Sequence, residues 1–178
     1  MFKLIPLALC LLLFSCKNAK TDDAAAMPET PATVAPAEIT DAKYIDVGKA
    51  GINALSAGDV AKWMESYADN AIYRFNNGDS IVGKPAITEY WTNRRTKVMD
   101  SISFAYDIWL PVKVNTPANE MQAPGVWLLG WYQVTAKYKT GKSMTQWVHT
   151  DLHFDASDKI DIVIQYLDRT PIAAAMAK

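Results

Sequence analysis

Half-way along this chain the hydrophobic period changes from helical to extended. Up to about Val98 the apolar residues recur at helical spacing. Asp41 to Ser56 carries Ala42, Ile45, Val47, Ala50, Ile52 and Leu55 on one stripe. Gly58 breaks it, and Asp59 is placed to cap a second helix running through Tyr67, with Trp63 and Tyr67 one turn apart. Gly83-Lys84-Pro85 opens a third, carrying Ile87, Tyr90, Trp91, Arg94 and Val98. Between the second and third helices, Ala68 to Asn70 reads as a turn and Ala71 to Phe75 as a short strand. Asn76-Asn77-Gly78-Asp79 then turns it into Ser80 to Val82. From Ser103 the pattern is one of long strands: Ser103–Val114, Val126–Lys139, Ser143–Phe154 and Ile160–Asp168. They are separated by the polar loop Asn115–Pro124, the turn Thr140–Lys142 and the turn Asp155–Lys159. Helices followed by long antiparallel strands define an α+β fold.

The N-terminus carries a different kind of information. Lys3 precedes the apolar run Leu4–Phe14, which is shorter than the roughly 20 residues a membrane-spanning helix needs. The run closes on Leu13-Phe14-Ser15-Cys16, which resembles a bacterial lipobox. That resemblance makes residues 1–15 a lipoprotein signal peptide and Cys16 the lipidated residue. It implies a chain anchored by lipid in the bacterial cell envelope, at the outer membrane on its periplasmic or surface side. Residues 16–38 form an Ala-, Pro- and Thr-rich stretch that lacks the large apolar side chains needed to offset its ordering entropy, and read as a disordered tether. Asp22-Asp23 resembles the acidic export signals of surface lipoproteins in Bacteroidetes-type bacteria, though a solvated linker also carries such pairs. Residues 39–178 are left as one domain of ordinary size.

The cysteine count narrows the chemistry. Of the two cysteines, Cys10 lies in the leader and Cys16 takes the lipid, so thiol redox and thiolate–metal chemistry are excluded from the mature protein. Loss of Lys3 takes Lys+Arg from 18 to 17 against 19 Asp+Glu, a net charge of −2. A basic surface for nucleic acid is not expected. The chain also lacks a Gly-rich phosphate loop, a HExxH pair and a nucleophile elbow.

The order of Gly58-Asp59, Tyr67-Ala68-Asp69-Asn70-Ala71, Gly83-Lys84-Pro85-Ala86-Ile87 and Phe154-Asp155-x-x-Asp158-Lys159-Ile160 resembles the SnoaL-like, nuclear-transport-factor-2-like (ketosteroid-isomerase-like) group. The resemblance implies a cone: three N-terminal helices packed against a curved, mostly antiparallel sheet, with an apolar pocket between them and no cofactor. It also implies that the three catalytic positions of the steroid isomerases fall at Gly51, Phe75 and Thr150, where no side chain titrates near neutrality. Steroid isomerase activity is therefore not expected. The family pattern places Phe75, Tyr90, Trp91, Trp131, Gln133 and Thr150 around the pocket.

The two histidines lie in Trp147-Val148-His149-Thr150-Asp151-Leu152-His153-Phe154. Alternation puts His149, Asp151 and His153 on one strand face, with neighbours on that face roughly 7 Å apart. Facing the pocket, His149 and Asp151 would make an acid–base pair, or with His153 a metal site. Facing outward, they would lie on the surface that related proteins often use for dimers. Val148, Leu152 and Phe154 form the more apolar face, which favours the outward placement and no metal. Asp168 ends the last strand, either over the pocket mouth or as a cap on the segment after it. Two facings of that strand stay open: Ile164, Tyr166 and Asp168 inward, or Val163, Gln165 and Leu167 inward, with a bulge able to reconcile them.

These residues are compatible with three functions. The first is binding of a small apolar molecule in the pocket. The second is a cofactor-independent isomerase, hydratase or cyclase using Asp168 or His149 and Asp151. The third is a non-catalytic homodimer joined through the sheet at Tyr132 and His149.

Overall fold

A computed structural model describes residues 34–120 and 122–177, all within the compact unit Val34–Lys178. The signal peptide, Cys16 and most of the tether lie outside the described residues. No helix among the described residues is long and apolar enough to cross a membrane. The fold is α+β, as the change of period requires. A seven-stranded sheet, β1 (Ala37–Ile39), β2 (Tyr67–Phe75), β3 (Ser80–Val82), β4 (Met99–Val114), β5 (Gly125–Tyr138), β6 (Ser143–Phe154) and β7 (Ile160–Tyr166), has the order β1-β4-β5-β6-β7-β2-β3. All neighbours are antiparallel except β2 and β7. The short β1 takes in Ala37 and Glu38, which the composition assigns to the tether, because β4 offers them a free edge.

Helix α1 (Lys43–Ala57) ends at Gly58, whose φ of 84° supplies the left-handed cap. Asp59 accepts a hydrogen bond from the Lys62 amide, as expected, but α2 is only Val60–Met64. The expected helix to Tyr67 and the turn at Ala68–Asn70 are replaced by the start of β2. Tyr67 already pairs with Ile160 of β7, and the irregularity of residues 68–71 is a bulge within the strand. The contact between Trp63 and Tyr67 survives as an edge-on ring pair at 5.0 Å. Helix α3 (Lys84–Asn93) begins with Pro85 in its first turn and runs into a π turn, Arg94–Val98, closed by the Met99 amide donating to the Arg94 carbonyl. A final helix, α4 (Arg169–Met176), is not expected from the sequence. Its eight residues, with Pro171 among them, are too short a run for a helical period to show.

Two bulges control which side chains face the helices. In β4, Ala105 pairs with Gln133 but Ile108 pairs with Trp131, so one residue is extra. Tyr106, at a φ of 56°, absorbs it. Before the bulge Ile102 and Phe104 face inward; after it Trp109 and Pro111 do. In β7, Phe154 pairs with Ile160 while His153 pairs with Ile162, leaving Asp161 as the extra residue. That bulge reconciles the two facings left open for this strand. The pairing of Phe154 with Ile160 holds, and Val163, Gln165 and Leu167 still turn inward.

The fully buried centre consists of Tyr73, Ile87, Met99, Leu128, Tyr138 and Val163. Close packing at one point needs two glycines. A Cβ on Gly48 of α1 would meet Leu128 at 2.7 Å and Trp109 at 2.9 Å, and one on Gly130 of β5 would overlap the Trp109 ring. These glycines form the slot that admits the Trp109 indole between helix and sheet.

Candidate functional site

Between the helices and the concave face of the sheet lies a cavity of about 360 Å³, inside the size range of small-molecule sites. Helix α1 contributes Gly51, Ile52 and Leu55, and α3 contributes Tyr90 and Trp91, with Arg94 where α3 passes into the π turn. Strand β2 supplies Tyr73 and Phe75, and β4 supplies Phe104 and Trp109. The central strands add Tyr132, Val134 and Tyr138 from β5, Val148 and Thr150 from β6, and Val163 and Gln165 from β7. Helix α4 closes the remaining side with Ile172, Ala173 and Met176. It is held there by Thr140, which donates to the Ala175 carbonyl at 2.6 Å, and by Lys142, which donates to that of Ala177 at 2.9 Å.

The lining is aromatic and nearly uncharged. Tyr73, Phe75, Tyr90 and Trp91 form a continuous cluster with ring centroids 5.1–6.2 Å apart. Phe104 and Trp109 pack on the two sides of Tyr132 at 5.4 and 5.7 Å. The Tyr132 and Thr150 hydroxyls share a hydrogen bond of 2.7 Å. Burial pushes the Tyr132 phenol up to about 12, with the hydrogen bonds from Thr150 and Gln165 opposing it. Burial also raises Tyr67 and Tyr73 well above the ordinary phenol value. Among the described residues, the lining holds no Asp, Glu, His or Lys. Its cations are Arg94 and Arg169.

Phe75, Tyr90, Trp91 and Thr150 therefore line the cavity. Trp131 and Gln133 do not. Trp131 pairs with His149 and Gln133 with Trp147, so each shares the outer face with its partner. With Thr150 turned inward, the register of β5 on β6 obliges Gly130, Tyr132 and Val134 to be the inward residues. For the same reason Tyr132, named with His149 as a sheet-face contact, is inside the cone and 5% exposed.

The ionisable candidates sit on the other side of the sheet. The His149 ring is stacked between Trp131, 4.5 Å away at 19°, and Tyr166, 5.4 Å away at 24°. Its Nδ1 faces the Gly130 carbonyl at 3.0 Å and its Nε2 faces Asp151 Oδ1 at 2.8 Å. Burial raises the Asp151 carboxyl above its ordinary range, and His149 pulls it partly back. His153 is separated from this pair. Its ring nitrogens face the bulged Asp161 and the Pro124 carbonyl, and its ring packs on Trp127 under the end of the 115–124 loop. Among the described residues no three His, Cys, Asp or Glu side chains converge as a metal site would require. Asp168 is the N-cap of α4, accepting from the Thr170 amide at 2.8 Å, which lowers its pKa. It is absent from the cavity wall, where Leu167 and Arg169 stand on either side of it.

Arg94, Trp109 and Tyr138 line the cavity without being expected there from the sequence. Trp109 is turned inward only by the bulge at Tyr106, which has no sequence signal. Arg94 was legible as a helical residue in phase with Tyr90 and Trp91, and that phase was the available clue.

No family model and no curated protein matches this chain. Solved structures do match its shape. An NTF2-like protein of unknown function from Burkholderia pseudomallei superposes with a TM-score of 0.61, at 10% identity over 78% of this chain and 100% of that one. The fold is the NTF2-like cone. A protein described as a polyketide cyclase from Xanthomonas campestris pv. campestris gives 0.59 at 15% identity, over 75% of this chain and 96% of that one. A ketosteroid-isomerase-like protein from Catenulispora acidiphila, in complex with trimethylamine, gives 0.54 at 11% identity, over 74% and 92%. Identities this low establish the cone and leave its contents to be argued from this chain's own residues.

Proposed function

We propose that the cone binds a small, mostly apolar molecule without transforming it. The observation that carries this reading is the cavity of about 360 Å³, walled by aromatic rings, with no carboxylate, imidazole or amine among its described lining residues. Proton transfer near neutral pH calls for a group that titrates there. The buried tyrosines are instead displaced away from neutrality, and the His149–Asp151 pair lies across the sheet. The solved neighbours include proteins described as a cyclase, an isomerase and an epoxide hydrolase, so the fold itself is compatible with turnover. Trp63, Trp91 and Trp109 line the cavity and serve as reporters. Titration of the full chain with a library of hydrophobic metabolites should change its tryptophan fluorescence for at least one chemical class. A folded protein that responds to none of them, or that converts a ligand it binds, would overturn the reading.

The proposal extends to a lipid anchor at the cell envelope, supported by Leu13-Phe14-Ser15-Cys16 after an apolar run. An alkyne fatty-acid label should attach to the chain in bacteria and be lost in Cys16→Ser. Equal labelling of both would remove the anchor.

A further inference from the structure

The cavity has hydrogen-bond donors that its own walls do not satisfy. The Trp91 indole N–H and the Tyr138 hydroxyl are buried, at 7% and 1% exposure, and neither donates to an acceptor within the protein; the Tyr138 oxygen has only the Arg94 guanidinium beside it. Between the two in the chain stands Arg94, on the same wall as Trp91 and three residues beyond it. Its guanidinium lies over the Tyr90 ring, 5.6 Å from the centroid, and its charge bears on both Tyr73 and Tyr138. Arg94 forms no ion pair among the described residues. The second lining arginine differs. Arg169 is neutralised by Asp79 at 3.2 Å and donates to Asn77 Oδ1 at 2.9 Å.

A guanidinium without a counter-charge at the wall of an otherwise apolar cavity is the strongest contact that cavity offers an anion. We infer that the ligand of this cavity is an amphiphilic monocarboxylate whose carboxylate is held by Arg94, with Tyr138 and Trp91 donating to the same group. The inference rests on the binding reading above and names the class of ligand. Carboxylate oxygens accept several hydrogen bonds, and the planar guanidinium fork matches them in pairs. One unpaired cation balances one negative charge, which favours a carboxylate over a doubly charged phosphate. The aromatic walls take the apolar remainder, which the volume limits to a medium alkyl or aryl-alkyl chain.

The test uses the full chain and a neutral fluorescent probe, N-phenyl-1-naphthylamine. Octanoate, decanoate and 4-phenylbutyrate each compete against the probe beside their own methyl esters, which keep the carbonyl and lose the charge. The acids should displace the probe at concentrations roughly 10- to 100-fold lower than the esters, the worth of a hydrogen bond to a charged group. Arg94→Gln should narrow that gap, and Arg94→Lys should restore part of it. Acids and esters competing equally in the wild type would overturn the inference, and this comparison needs no variant to fold. A gap that survives intact in a folded Arg94→Gln protein would overturn it as well. Probe binding without acid preference sinks this inference alone; failure of the folded chain to bind probe, acids and esters alike removes the binding reading and this inference with it.

Discussion

The two faces of β5, β6 and β7 are built from alternate residues of the same strands, yet they hold opposite chemistry. The concave face carries Tyr132, Val134, Val148, Thr150, Val163 and Gln165, a wall on which the polar groups bond to one another. The convex face carries Trp131, His149, Asp151 and Tyr166, a stacked ring ladder with a half-buried carboxylate beneath it. Trp147 and Ile108 remain 52% and 57% exposed on that side. The groups best suited by type to acid–base catalysis are thus on the side of the sheet away from the cavity. Residue type alone, without facing, does not tell which of these groups share the cavity.

That contrast can be broken by experiment. Leu128 and Leu129 are neighbours on opposite faces; Leu128 is fully buried and Leu129 is half-buried. Leu128→Ala should cost about 2–5 kcal/mol in denaturant unfolding. Leu129→Ala should cost about 1 kcal/mol or less, in keeping with a partly exposed side chain. Equal losses would mean that the convex face is packed as tightly as the core.

A smaller effect separates the faces by pH. Burial raises Asp151 above its ordinary 3.8 in the folded chain. In the acid range between those two values the folded protein binds more protons than the unfolded one, so this group's contribution to stability is present below the ordinary value and is lost as pH rises through the raised one. Asp151→Asn should flatten that part of the stability–pH curve, measured by urea midpoints across the acid range, and leave ligand binding in the cavity unchanged. An altered ligand affinity would show that the two faces are coupled through β6.

Much of the architecture was legible along the chain. Ser143–Phe154 and Ser80–Val82 coincide with observed strands, and α1 and α3 keep closely to their stripes, because period, glycine and proline signals are local. The inward placement of Thr150 agreed with Val148 and Leu152 on the same face. Trp131 and Gln133 were misplaced because facing on β5 depends on its register with β6, a pairing that residue identity along β5 does not encode. Tyr67–Asn70 has the local pattern of a helix end and turn, and is a strand because the parallel β7, distant in sequence, holds it. Asp168 is ambiguous in the sequence because an aspartate before a helix and one at a strand end look alike, and the eight residues of α4 are too few to show a helical period.

The sequence by itself determined the α+β class, the capping of α2 by Asp59, the β2–β3 turn and the absence of a titrating group at Gly51, Phe75 and Thr150. All of these depend on residue identity and near neighbours. Tertiary structure alone decided where the chemistry lies. One extra residue at Tyr106 turns Trp109 into the cone, one at Asp161 turns Gln165 inward, and the folding of α4 over the opening completes the cavity beside Arg94. A bulge reverses which side every later residue of its strand faces, and its position is set by the partner strand across the ladder.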